Sequence, residues 1–267
     1  METIKFTFQE RTIHVHKSGS GAENMLLFHG FGQTGQVFQG WHQALEETHT
    51  LYSFDLFFHG ESDQTEAPVT PTYWGKLLKV FTEQQQLEHF HLAGYSLGGR
   101  FVNATLLYVP EQIKSISYIA PDGFYESPWQ TLAISFRRIF RYVMNHPEAL
   151  IKMADAAEKY KLSSPSLVKF AKRELRDVDN RIRVYRSWIY LKPLIRNHRR
   201  VTRTIHNHEI KCTLILGSKD HIIPPRKVVP KFKPAPNVTI CVIEKRHHEM
   251  IGAALELLYS GVDSSEN

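Results

Sequence analysis

The stretch Gly94-Tyr95-Ser96-Leu97-Gly98-Gly99 constrains this chain more than any other, because it reads as a sharp corner between a strand and a helix. Before it, His89-Phe90-His91-Leu92-Ala93 has the aromatic and aliphatic content of a short buried strand. After it, Phe101, Val102, Ala104, Thr105, Leu106, Leu107 and Val109 continue as a helix up to Pro110. A serine at such a corner is held in strained backbone, and the residues two places before and after it must be small for the turns to approach. Gly94 and Gly98 meet that need. The corner exposes the Ser96 hydroxyl at the carboxyl edge of a sheet. It also sets the Leu97 N–H at a helix amino end, where it can meet a developing oxyanion.

Strands and helices alternate on both sides of this corner, which predicts an α/β fold. Ile4–Phe8 and Thr12–His16 alternate polar and apolar residues around Gln9-Glu10-Arg11 and read as a hairpin. Met25-Leu26-Leu27-Phe28 is too short for a helix and reads as a strand covered on both faces. It runs into His29-Gly30-Phe31-Gly32-Gln33-Thr34-Gly35, a turn able to present the Phe31 N–H as a second oxyanion donor. A helix over Phe38–Glu47 and a strand over Thr50–Asp55 follow. The loop Asp55–Ser62 lies at the same sheet edge, with Asp55 and His59 read as its hydrogen-bonding braces. Tyr73–Gln86 suits a helix capped by Thr70 or Thr72, and Ile113–Ala120 suits a strand.

From 124 to 208 the alternation stops and helical patterns take over. Apolar residues from Trp129 to Met144 recur at three- and four-residue steps, and weaker patterns cover Leu150–Tyr160, Leu167–Leu175 and Val184, Trp188, Leu191 and Ile195. The expectation is a mostly parallel eight-stranded sheet flanked by helices, with a core domain of residues 1–123 and 209–267. Residues 124–208 form an all-helical cap above the strand ends. The same region is basic, with 18 Lys and Arg against 8 Asp and Glu between Glu126 and Glu209. Such an island fits an anionic small-molecule substrate, an acidic partner or a membrane surface, or simply the solvated faces of helices.

The sheet resumes with Cys212–Leu216, leaving through Gly217-Ser218-Lys219-Asp220. Proline-interrupted sequence from Pro224 to Pro236 precedes the last strand, Val238–Ile243, and Met250–Leu258 closes the chain with a helix. The two cysteines, Cys212 and Cys241, sit in apolar runs far apart, as expected of buried thiols in a reducing compartment. The amino terminus lacks the apolar block of a secretory signal and no run is long enough to span a bilayer. A cytoplasmic protein without a nucleic-acid partner is therefore expected.

A serine hydroxyl needs a base to become nucleophilic, and an imidazole needs a third group to fix its tautomer and stabilise its charge. The order Ser96, Asp220, then a histidine at 247 or 248 puts each group just after a strand. His248 is the choice because it directly precedes the closing helix, and Asp122 is the reserve acid. His248-Glu249 has Gly252 where a helical zinc motif needs its second histidine, and no dinucleotide or P-loop fingerprint is present. Neither a cofactor nor a metal is expected.

With these pieces placed, the sequence resembles the α/β-hydrolase superfamily with an inserted helical cap. The resemblance rests on His29-Gly30-Phe31-Gly32, Asp55–Ser62, the Gly94–Gly99 elbow, Gly217–Asp220 and His248. It implies Ser96 as nucleophile, Asp220 as acid, His248 as base and the Phe31 and Leu97 amides as oxyanion hole. Two departures stand out: Phe57 and Phe58 replace the usual proline and glycine, which would alter the pocket wall, and His247 replaces the glycine usual before the histidine. The resemblance favours hydrolysis of a small carboxylic ester. Tyr95–Arg100 also resembles the elbow of the menaquinone-pathway synthase that eliminates pyruvate, which would give Arg100 a substrate carboxylate to bind. A catalytically silent ligand-binding protein is the third reading.

Overall fold

The computed structural model describes residues 1–124, 177–195, 197–232 and 236–259, with five single positions between 148 and 160. The helical patterns expected at 129–144 and 167–175, and most of that at 150–160, lie outside the described residues. One sheet carries eight strands: β1 (Glu2–Phe8), β2 (Arg11–Ser18), β3 (Glu23–Phe28), β4 (His49–Phe54), β5 (Phe90–Tyr95), β6 (Ile113–Ile119), β7 (Lys211–Gly217) and β8 (Val238–Ile243). Their spatial order is β1-β2-β4-β3-β5-β6-β7-β8. β2 pairs antiparallel with β1 and β4, and every other pairing is parallel. After β3 the chain crosses to β4 on one side and then to β5 on the other. In open parallel sheets such a reversal opens a crevice at the carboxyl ends, where ligands bind.

The uninterrupted apolar run of β3 is explained by cover on both faces. Met25 and Leu27 pack with Leu51, Tyr95 and Ile215 against Trp41, Leu45, Met250 and Ala254 of α1 (Gln39–Leu45) and α7 (Met250–Tyr259). The Trp41 indole N–H donates to the Ile251 carbonyl at 3.0 Å, locking these two helices together. Leu26 and Phe28 face the opposite way, toward α2 (Pro71–Gln84) and α3 (Gly98–Leu106). There Phe28, Phe54, Trp74 and Phe101 make edge-on ring contacts and are fully buried, each worth roughly 2–3 kcal/mol of hydrophobic stabilisation. Thr70 caps α2 by accepting the Tyr73 N–H at 3.1 Å, with Pro71 in the first turn where no amide partner is required.

Two segments differ from expectation. Residues Pro225–Phe232, read as broken by proline, form α6. Pro225 starts the helix, where its missing N–H costs nothing, and burial of Val228 and Phe232 one turn apart outweighs the bond lost at Pro230. Of the 124–208 stretch, α4 (Val178–Tyr190) lies over the loop after β4: the Val69 N–H donates to the Tyr190 carbonyl at 2.8 Å. The next helix, α5 (His198–Asn207), packs on α3 and α6 and buries Val201 and Ile205 in the sheet-flanking core. It is a crossover helix of the sheet layer, so that layer resumes some ten residues before 208.

Candidate active site

Ser96 follows β5 with φ +48°, in the left-handed region that a non-glycine residue enters only under constraint. The corner closes as tightly as its glycines imply. A Cβ on Gly98 would lie 2.0 Å from the Phe28 carbonyl oxygen, and one on Gly94 would lie 2.5 Å from Val102 Cγ2. Two backbone bonds then fix the serine. Its N–H donates to the Ile119 carbonyl at 3.0 Å, and its carbonyl accepts the Asp122 N–H at 2.8 Å.

Asp220 leaves β7 through Gly217 and is buried. Its Oδ1 accepts the Ile222 and Ile223 amides at 2.8 and 2.9 Å, which turns Oδ2 toward the site. There Oδ2 meets the Nδ1 of His247 at 2.6 Å, and the Nε2 of the same ring lies 3.1 Å from Ser96 Oγ. A carboxylate accepts only, so Nδ1 carries the proton and the Nε2 lone pair faces the hydroxyl. The Tyr95 hydroxyl donates to the His247 carbonyl at 2.9 Å, and its ring lies 5.1 Å from the imidazole. The residue just before the serine thus props the imidazole, a role that nothing in its sequence context signals.

The expected base, His248, is exposed and contacts neither group. Reading the helix as starting at Met250 put 248 at its threshold, but a 3₁₀ turn begins at His247 and runs into α7. The Glu249 side chain accepts the Arg246 N–H at 2.7 Å and sets that earlier start, turning residue 247 inward and 248 outward.

Other expected positions fall differently. Asp122 does not reach the imidazole: its Oδ2 accepts from Nε and Nη2 of Arg100 at 2.8 and 2.6 Å. Arg100 is 3% exposed, so its charge is balanced inside the core rather than offered to a substrate. Phe57, expected to line the pocket, packs instead beneath the Arg11 guanidinium, 4.3 Å from the ring centre, and against Tyr73 and Trp74. Phe58 stacks at 5.8 Å on Tyr190 of α4. Leu97 opens α3, and its N–H has no acceptor among the described residues. Phe31 lies in the turn after β3, half-buried. Asp55 braces its loop as expected. Burial alone would raise its carboxyl, but hydrogen bonds from His16 and from the Gly35 and Glu61 amides outweigh this and hold it low. Among the described residues no three His, Cys, Asp or Glu side chains gather to hold a metal.

Residues 23–252 match the family model of the alpha/beta hydrolase fold. This chain belongs to that family. A curated relative, the dihydrolipoyllysine-residue acetyltransferase component of the acetoin cleaving system of Cupriavidus necator, is 28% identical over 108 residues. That match takes in 40% of this chain and 29% of the relative, so this chain spans less than a third of that protein's length. Lipase 1 of Psychrobacter immobilis is 22% identical across 96% of this chain and 80% of its own. A thermophilic esterase from Thermogutta terrifontis superposes with a TM-score of 0.70 at 16% identity, covering 96% of this chain and 95% of its own. At that identity the superposition speaks for the alpha/beta hydrolase fold alone. Phe58 has φ +70°, in the left-handed region that favours glycine, while carrying a bulky ring.

Proposed function

We propose that this alpha/beta hydrolase cleaves small-molecule carboxylic esters through an acyl-enzyme, with Ser96 as nucleophile, His247 as base and Asp220 as orienting acid. The observation that carries this reading is the single imidazole held 2.6 Å from a buried carboxylate and 3.1 Å from a serine hydroxyl at a strained corner. Ser96 Oγ attacks the acyl carbon as its proton passes to His247 Nε2, and Asp220 stabilises the resulting imidazolium. The Leu97 and Phe31 amides, one at a helix amino end and one after β3, receive the oxyanion. Collapse of this intermediate expels the alcohol, which takes the proton from His247. Water, deprotonated by the same imidazole, then releases the acid.

The lipase among the relatives agrees with this chemistry. A pyruvate-eliminating lyase would need Arg100 free for a substrate carboxylate, and its pairing with Asp122 removes the feature that suggested it. The test is turnover of p-nitrophenyl butyrate, expected to fall by about 10⁴-fold in Ser96→Ala. Labelling of Ser96 by a fluorophosphonate separates an enzyme from a silent binding protein. Failure of both measurements would reject the proposal.

A further inference from the structure

Where α4 crosses the loop after β4, four buried polar atoms have no hydrogen-bond partner among the described residues: His59 Nε2, Arg183 Nε, Ser187 Oγ and Arg186 Nε, the last of which faces Glu66 at 3.5 Å. Buried orphans of this kind are rare and call for an explanation such as an absent ligand or water. His59 and Ser187 are each 1% exposed. Arg183, Ser187 and Tyr190 follow one another at steps of four and three along α4, so they share one face. Tyr190 rests on Phe58 at one end of that face, and at the other the charge of Arg183 is felt by His59. The face therefore looks onto the Phe58–His59 corner.

That corner adjoins the turn after β3 that carries His29 and Phe31. The His59 ring stands edge to face with Phe31 at 5.5 Å and lies 5.2 Å from His29. His59 Nδ1 lies 3.0 Å from the Phe57 carbonyl, which can only accept, so Nδ1 carries the proton and Nε2 is a bare lone pair. Burial, with the charges of His29 and Arg183 added, pushes this imidazole down to about 3 and keeps it neutral at physiological pH. The corner thus offers an acceptor at His59, a donor at Arg183 Nε, and a hydroxyl at Ser187 able to serve as either.

Resting on the ester-hydrolase reading, we infer that these atoms form a subsite for a hydroxyl group on the substrate arm that lies past Phe31. A hydroxyl donates to His59 Nε2 while accepting from Arg183. A carboxylate would satisfy Arg183 but set its own lone pairs against that of His59. A methylene satisfies neither. The basic composition of the 124–208 region suggested an anionic substrate, whereas this corner selects a neutral hydroxylated one.

The test is binding to the Ser96→Ala protein, which does not depend on turnover. Ethyl butyrate, its 2-, 3- and 4-hydroxy derivatives and monoethyl succinate would be titrated by calorimetry. One hydroxybutyrate should bind about tenfold more tightly than ethyl butyrate, the lower end of what a hydrogen bond to a charged group such as the Arg183 guanidinium contributes. That ratio should collapse toward one when Arg183→Met or Ser187→Ala is added, with monoethyl succinate no better than ethyl butyrate. Ser187→Ala removes an unpaired hydroxyl, so its thermal midpoint should hold or rise. Equal affinity for all the esters would assign the corner to ordered water and overturn the inference, as would a ratio that survives Arg183→Met or a preference for the carboxylate. Loss of the hydrolase reading would show separately, as absent p-nitrophenyl butyrate turnover in the unaltered protein.

Discussion

Acidification to about pH 5 should strip this fold of a large share of its stability, because three histidines are buried in the neutral form. Burial is the main cause in each: it pushes His29 and His42 down to about 4 and His59 down to about 3. Their hydrogen bonds agree. His29 Nε2 accepts the Leu56 N–H at 3.0 Å, a bond that protonation would break, and His42 is held between the Ser18 and Ser53 hydroxyls.

In the unfolded chain the same rings titrate near 6.5, so between roughly pH 6.5 and 4 the unfolded state binds more protons and stability rises with pH. The stabilisation is complete above that window and is lost as pH falls through it. At about pH 5 the loss is about 2 kcal/mol for each ring and about 6 kcal/mol for the three. Domains of this kind hold only about 5–15 kcal/mol in total. Urea unfolding followed by tryptophan fluorescence at about pH 7.5 and about pH 5 should show the midpoint falling by about 2 M, for an m-value of about 3 kcal/mol/M. A midpoint that moves by less than about 0.3 M, or a proton uptake on unfolding below about one at pH 5, would refute the reasoning. Asp55, held low, adds its own loss only below the ordinary carboxylate range, so the two effects separate along the pH axis.

The two neighbouring histidines should part company in kinetics. His247→Ala should lower kcat/KM for p-nitrophenyl butyrate by about 10⁴-fold, and exposed His248→Ala by less than about twofold. Asp122→Asn leaves the Arg100 charge buried without its partner and should cost about 3–5 kcal/mol by chemical denaturation, much of it recovered when Arg100→Met is added. Gly98→Ala, whose Cβ meets backbone at Phe28, should destabilise by about 3 kcal/mol and disturb the elbow, read as slower fluorophosphonate labelling of Ser96.

What was legible in the sequence was whatever depends on near neighbours. The spacing of Gly94, Ser96 and Gly98 marks the elbow because a Cβ on Gly94 would meet Val102 and Gly98 a few residues on, while the clash of Gly98 with Phe28 at the end of β3 is a distant demand that the same local pattern happens to meet. The central strands were readable because Met25–Phe28 and its counterparts carry cover on both faces, and the β1–β2 hairpin because it alternates polar and apolar residues. The histidine was misplaced by one position because the choice turned on where a helix begins, and a capping contact between Arg246 and Glu249 moved that start. Arg100 and Asp122 lie 22 residues apart, and local pattern does not reveal that they neutralise each other. Helix α6 was hidden because tertiary burial of Val228 and Phe232 overrides what two prolines predict.

The Asp122 amide grips the Ser96 carbonyl, while the Asp122 carboxylate grips Arg100 one turn into the helix that follows the serine. Residues 121–123 are also where the chain departs from the sheet toward the 125–176 stretch. Anyone replacing the 125–176 stretch with foreign sequence must therefore splice after Gly123. A junction placed earlier would unfasten the backbone of Ser96, the proposed nucleophile.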